Sequence, residues 1–127
     1  MKFNLSNLNP GTTFDIGDGA RLTIRLCNGA ALDEIYSATT NKREVWKRGV
    51  RSVDVEVDEA RRSELIWDYS IMDWDGIEDE HGKAIPCNAE NKATLMRESL
   101  VFARLVNGLL DRLIEQTDAA AQALEKN

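Results

Sequence analysis

The sequence lacks the long apolar runs and the cysteine pattern that mark membrane and secreted proteins. No apolar run approaches the roughly 18 to 20 residues of a membrane-spanning helix, and the first residues, MKFNLSNLNPG, lack the continuous apolar core of a signal peptide. The 127 residues include only two cysteines, Cys27 and Cys87. A domain secured by disulfides usually has more cysteines at closer spacings, so we expect two buried, reduced thiols. The sequence therefore predicts a protein that remains in the cytoplasm.

Positive charge is also in short supply. Lys and Arg number 16 against 22 Asp and Glu, which gives a formal charge of −6 and a pI near 4.8. Affinity for nucleic acid depends largely on neutralising phosphates, and anionic membranes also attract basic surfaces. We therefore expect neither nucleic acid nor membrane as a partner.

Residues that could carry catalysis or hold a metal are few. His81 is the only histidine, and with Cys87 it falls short of the three or four ligands of a zinc site. An EF-hand loop that begins at Asp73 fails, because glycine falls at position 4 and Ala84 occupies position 12. No GxSxG or GxxxxGK[ST] motif is present, and nothing selects an acid/base pair among the many carboxylates. We expect no catalytic, metal or cofactor residues, and a protein that is not an enzyme.

The first half of the chain has mainly strand-like patterns. Apolar residues alternate with polar ones around Gly17-Asp18-Gly19, which predicts a β-hairpin within residues 13–27. Asn28 is a candidate N-cap for a helix over residues 30–38. The basic stretch TNKREVWKRGVR is predicted to be a loop, and the alternation VDVEV at residues 53–57 predicts a third strand.

The second half has helical patterns, with one interruption. Asp58 is a candidate cap for a helix that ends near Met72, and residues 73–86 form an acidic loop anchored by Ile77 and Ile85. Asn88 precedes a region without proline that is either one long helix or two helices joined near Glu98-Ser99.

The last helix has more apolar surface than one sheet face requires. Pairs of apolar residues recur every four positions from Val101 to Ile114, so the apolar arc drifts and widens to about 200°. The helix is therefore expected to lie in the middle of the domain or to meet a partner chain. A second copy of this protein is one such partner. A close backbone approach at Gly108 would explain a glycine within this helix.

Together these patterns predict a single α+β domain over 1–127. A small N-terminal antiparallel β-hairpin or sheet in the β-rich segment 1–57 precedes a mainly α-helical bundle over 58–124. The bundle contains the acidic loop 73–86 and a long C-terminal helix, and 119–127 is predicted to be a frayed tail.

Large aromatic and apolar side chains are the candidate binding residues. Trp67 and Tyr69 lie two apart on a helix, so one is expected to pack inward and the other to be accessible. Trp74, beside a polar loop, is expected to be an interface anchor. The hypothetical protein-binding site comprises Trp67, Trp74, Val101, Leu105, Leu109 and Leu113.

Residues 68–96, DYSIMDWDGIEDEHGKAIPCNAENKATLM, contain a recognisable pattern. The pattern has a helix that ends in Trp74-Asp75-Gly76-Ile77, an acidic turn over 79–82, Ile85-Pro86, and a helix start at Glu90-Asn91-Lys92. It resembles small phage and prophage proteins of the tail-assembly chaperone type. The resemblance implies a non-catalytic protein of the bacterial host cytoplasm that binds tape-measure and tail-tube proteins during tail assembly and forms homo-oligomers.

The same residues also have a purely structural explanation, since glycine permits turns and Asn88 caps a helix. The alternative functions are a virion structural component, such as a head–tail connector or minor tail subunit, and a small regulatory protein-binding module.

Overall fold

The structure, a computed structural model, describes residues 1–125. It confirms the α+β class, with antiparallel N-terminal strands and a long C-terminal helix. The elements in chain order are β1 Thr12–Gly17, β2 Ala20–Ile24, α1 Gly29–Thr39, β3 Thr40–Lys47, β4 Val50–Val57, α2 Glu59–Ser70, β5 Ile71–Asp75, α3 Ala89–Glu98 and α4 Leu100–Glu125.

The predicted N-terminal hairpin is β1 and β2, and β5 completes a three-stranded antiparallel sheet in the order β1-β2-β5. Phe14, Leu22 and Trp74 are register partners across the three strands, so they form one apolar row on one face. That face packs against α4 through Phe102, Val106, Leu109 and Leu113.

The opposite face of the sheet is polar. Asp15, Arg21 and Asp75 are register partners across it, which alternates the sign of charge from strand to strand. One covered face and one solvated face are typical of a small antiparallel sheet.

Strand β5 corrects the prediction that the second helix continues to Met72. Helix α2 begins after Asp58, whose side chain accepts the Arg61 backbone N–H, and it ends at Ser70. A register irregularity between Thr23 and Ile24 of β2 allows Ile71 and Trp74 to be buried although they are three residues apart. A spacing of three between buried residues is typical of a helix, so the sequence pattern does not predict the strand.

The acidic loop after β5 is closed by its own hydrogen bonds. The Asp79 carboxylate accepts the backbone N–H groups of His81 (2.8 Å) and Lys83 (3.0 Å), and the Ile85 N–H donates to the Ile77 carbonyl (2.9 Å). The predicted role of Ile77 and Ile85 as anchors of a hairpin-like loop is confirmed.

The long helical region consists of two helices, the second of the two alternatives. Ser99 both ends α3, where its N–H donates to the Leu95 carbonyl (3.0 Å), and begins α4, where its hydroxyl accepts the Phe102 N–H (3.1 Å). Helix α4 continues to Glu125, so residues 119–125 of the predicted frayed tail are helical, and residues 126–127 lie outside the described residues of the chain. No helix within residues 1–125 is long and apolar enough to cross a membrane.

Helix α3 is fixed to α2 by a buried lysine. The Lys92 ammonium donates to the Asp68 carboxylate (3.0 Å) and to the Asp68 carbonyl (3.2 Å). Because a buried charge is costly unless it is paired, this contact determines where α3 begins relative to the end of α2.

The stretch predicted to be a loop, residues 40–51, is instead strand β3 and the start of β4. β3 and β4 form a separate two-stranded antiparallel ribbon, so VDVEV is a strand as predicted. Ion pairs Arg51–Glu44 and Arg43–Glu56 cross the ribbon, and Arg48 (φ 53°) and Gly49 (φ 75°) form its two-residue turn. Both faces meet solvent, so the sequence of β3 contains no apolar alternation from which a strand could be predicted.

Gly76 is the glycine whose replacement should damage the fold most directly. Its φ is 76°, and an added Cβ would lie 2.8 Å from Ala20 Cα and 2.9 Å from the Gly19 carbonyl oxygen. We expect Gly76→Ala to lower the free energy of unfolding by about 3 kcal/mol or more. Gly82→Ala is the matched control: its φ is 77° but its Cβ meets only a side-chain oxygen at 3.6 Å, so about 1 to 2 kcal/mol is expected. Equal losses in urea denaturation would contradict the steric explanation.

The expectation of a close backbone approach at Gly108 is wrong. Apart from its chain neighbours and the nearby backbone of α4 itself, no described atom lies within 4 Å of a Cβ built there, and the residue is exposed on α4. Gly108→Ala is therefore expected to raise the free energy of unfolding by about 0.5 to 1 kcal/mol, since glycine is a poor helix former. A loss of stability in the same denaturation measurement would contradict it.

Candidate functional site

One exposed apolar surface is the ribbon of residues 40–57, which we call the arm. Within β3 and β4, every residue except Thr40 and Val45 is exposed. The register places Trp46, Val53, Val55 and Val57 on one face of the ribbon, and Trp46, near the turn, is 65% exposed. An indole and three valines in a row, all accessible, are suited to bury area against another protein.

The arm and the remainder of the chain have opposite charge. The arm has five Lys or Arg and three Asp or Glu, a formal charge of +2. The remaining residues have eleven Lys or Arg and nineteen Asp or Glu, a formal charge of −8. Three of the five cations, Lys47, Arg48 and Arg51, lie at the turn end of the arm beside Trp46.

The root of the arm is held by Arg62 of α2. Its guanidinium donates to the hydroxyls of Thr39 (3.0 Å) and Thr40 (2.9 Å), where α1 becomes β3, and it lies over the Tyr36 ring at 4.3 Å. The Asp58 N–H donates to the Thr39 carbonyl (2.9 Å), which joins the two ends of the arm. The root is therefore fixed although the ribbon itself is exposed.

An apolar groove of about 360 Å³ lies where α1, α2 and α4 meet. Its principal lining residues are Leu26, Leu32, Ile66, Leu110, Asp111 and Ile114. Ile114 is 46% exposed, and the other apolar members are half-buried. The groove is thus a partly open apolar surface with one carboxylate.

A third exposed apolar surface is the start of α4. Val101 is 80% exposed and its neighbour Leu100 is also exposed, although both begin an otherwise well-packed helix. The N-terminal segment likewise exposes Met1, Phe3, Leu5 and Leu8, and Asn9 anchors it by donating to the Leu26 carbonyl (2.8 Å) and to the Tyr69 hydroxyl (2.9 Å).

The structure separates the six residues of the hypothetical binding site. Val101 is exposed, Trp67 and Leu105 are half-buried, and Trp74, Leu109 and Leu113 are buried. Leu109 and Leu113 face the sheet, so the wide apolar arc of α4 is used mainly inside the domain. Trp67 packs in the α2–α3 interface with the Arg97 guanidinium 5.1 Å from its ring centre.

The expectation that Trp74 is an accessible anchor is wrong. Only 8% of it is exposed; its indole N–H donates to the Ile85 carbonyl (2.7 Å), and its ring meets Phe102 edge-on at 5.9 Å. The error follows from the hidden strand β5, because an inward-facing indole on a strand has the same polar sequence neighbours as one in a loop. Trp46 is the exposed tryptophan, and a tryptophan flanked by cations in VWKRG is the available signal.

The candidate metal and thiol residues do not come together. Within residues 1–125, no three His, Cys, Asp or Glu side chains form a group that could hold a metal ion. Cys27 and Cys87 are free and half-buried. Burial raises the pKa of the Cys87 thiol, and the nearby Lys92 ammonium opposes this only partially. Cys87 therefore has less thiolate at neutral pH than an exposed cysteine.

Leu109 and Val101 differ in burial so strongly that alanine variants should separate core from surface. Leu109 is 6% exposed, so Leu109→Ala is expected to cost about 2 to 5 kcal/mol of unfolding free energy. Val101→Ala is expected to change it by less than about 0.5 kcal/mol. Chemical denaturation monitored by tryptophan fluorescence measures both, and a large loss in Val101→Ala would contradict the assignment of Val101 to the surface.

Comparison with models of known protein families, with curated proteins and with solved structures finds no match to this chain.

Proposed function

We propose that this protein acts by binding other proteins, without catalysis, as a factor similar to the phage and prophage tail-assembly chaperones. Its partners in this proposal are the tape-measure and tail-tube proteins, and its location is the cytoplasm of the bacterial host. The observation that carries the proposal is the exposed apolar surface, which consists of Trp46 and a row of valines on the arm and of Leu100 and Val101 at the start of α4. Exposed apolar surfaces of this kind are typical of protein-binding sites.

The residues of the chaperone-like pattern have structural roles in this chain. Trp74 is a core residue, Gly76 allows close contact with Ala20, and Ile77 and Ile85 close the acidic loop. The pattern therefore describes how β5 is joined to α3 in this chain. The binding surface itself is sought elsewhere, on the exposed residues of the arm and of α4.

The chemistry of the exposed surfaces fits partners rich in apolar helices. Leu100 and Val101 begin α4 beside each other, and an apolar pair of this kind can pack into the apolar stripe of a partner helix. Such contacts require no group with an unusual charge or reactivity. The exposed residues therefore support a function in protein binding.

The test is co-expression with candidate tape-measure and tail-tube proteins, followed by pull-down and sizing. Val101→Asp is the informative variant, because Val101 is exposed and a charge there leaves the core intact. Leu109→Asp is unsuitable, since a charge at that buried position would unfold the domain. Ala119→Asp, an exposed position on the same helix, is the matched control.

We expect the wild-type protein and Ala119→Asp to capture a tape-measure protein and Val101→Asp to capture at least about tenfold less. Far-UV circular dichroism should show that all three are equally folded. Absence of capture, together with this protein in purified virions, would contradict the chaperone proposal and favour a structural subunit of the tail or connector. If the protein neither captures a tape-measure protein nor occurs in purified virions, the chaperone proposal is also contradicted, and the regulatory alternative is favoured.

A further inference from the structure

The arm lacks a covering surface for its apolar face. A two-stranded ribbon with no further strand or helix against it is at best marginally stable in water. Here Trp46, Val53 and Val55 remain more than half exposed, and both edges of the ribbon have backbone groups without a neighbouring strand among the described residues. A surface that covers this face would remove apolar area from water and stabilise the ribbon.

A second copy could cover the apolar face of the arm with its own arm or with its body, and charge favours one of these two arrangements. Two arms laid against each other would bring together surfaces of formal charge +2, with Lys47 and Arg48 at both tips. An arm laid against the body of a second copy meets the portion of the chain whose formal charge is −8. Electrostatic complementarity therefore favours contact between arm and body.

The groove between α1, α2 and α4 has the composition that the arm tip requires. Its apolar lining suits the Trp46 indole, and Asp111 offers a carboxylate to the neighbouring cations. Glu115 and Asp118 follow Asp111 within about 60° around the axis of α4, so they extend the acidic rim along the helix. The groove therefore combines an apolar floor with an acidic helix face.

The arm does not fill the groove of its own chain, since no arm residue lines it. Leu32 of the groove lies near the start of α1, whereas the arm leaves the far end of that helix at Thr39. Trp46 lies about 20 Å further along the ribbon from Thr40, and Arg62 holds the root in place. With its root held in this way, the arm is placed to meet the groove of another molecule.

We propose that the arm of one copy docks on a second copy, with Trp46 in the groove beside Ile114, and with Arg51 on the Trp46 face and Arg48 at the turn facing the acidic side of α4. Each copy has both an arm and a groove, so two copies can exchange arms or many can join head to tail. In this self-association the last helix meets the arm of a second copy. It does not depend on the identity of the tail proteins, so each proposal can fail without the other.

Two variants that each lose one half of the contact provide the decisive experiment. Trp46→Glu disables the arm and leaves the groove, whereas Ile114→Arg disables the groove and leaves the arm. Both positions are exposed, so both variants should fold, which circular dichroism and thermal unfolding would verify. Val101→Asp, on α4 but outside the groove, is the matched control.

We expect analytical ultracentrifugation to show that the wild-type protein and Val101→Asp associate beyond the 14.3 kDa monomer. Each disabled variant alone should associate at least about thirtyfold more weakly. An equimolar mixture of the two should recover a one-to-one complex, because one variant supplies the arm and the other the groove.

A chemical readout in the groove gives an independent measure. Cys27 also lines the groove, and in Cys87→Ser it is the remaining thiol. Alkylation of Cys27 should slow as the concentration of the Cys87→Ser protein rises. It should not slow when Trp46→Glu is added to that protein. A wild-type monomer at all soluble concentrations would overturn the proposal. So would a mixture that stays monomeric, or a groove variant that associates like the wild type. If the wild type is monomeric and Trp46→Glu no longer captures a tape-measure protein, the arm binds that partner and not a second copy, which would also overturn the proposal.

Discussion

The packing of Trp74 is the constraint on which the rest of the domain depends. Its ring completes the apolar row of the sheet, meets Phe102 of α4, and donates its N–H to the loop that leads into α3. One side chain thus joins the sheet, the acidic loop and the longest helix. A buried tryptophan needs a partner for its N–H, and the Ile85 carbonyl provides it within the same loop that the indole holds in place.

The molecule divides into a well-packed body and an arm with little burial of its own. In the body, Lys92, Arg97 and Ser99 position α3 and α4 through specific hydrogen bonds. In the arm, cross-strand ion pairs and a tight turn maintain the ribbon, and exposed pairs of this kind contribute little to stability. Conformational order in the arm therefore comes mainly from its root.

Much of the body could be predicted from the sequence, because its elements have conventional signals. Asn28, Asp58 and Asn88 each cap the helix predicted to follow, and the hairpin 13–27 has its alternation and its glycine turn. Strand β5 escapes prediction because a register irregularity places its buried residues at a helix-like spacing. Strand β3 escapes it because an element exposed on both faces has no burial pattern in its sequence.

The candidate site is harder to predict, since exposure depends on which elements meet. The recurring apolar pairs of α4 do not distinguish the residues that face the sheet from those that face solvent, so Leu109 and Val101 are equivalent in the sequence pattern. Trp74 and Trp46 each lie in a polar stretch, and only the strand pairing shows which is buried. Burial across distant elements carries no local signal that could correct these assignments.

The two ends of the arm lie side by side. The Thr39 carbonyl accepts the Asp58 N–H, so the chain leaves the body and returns to it at nearly the same point. Residues between these positions can be added or removed in pairs without moving α1 relative to α2, provided that Arg62 retains its hydroxyl partners. The reach of the ribbon is therefore independent of the architecture that supports it, so the arm can change in length while the body stays the same.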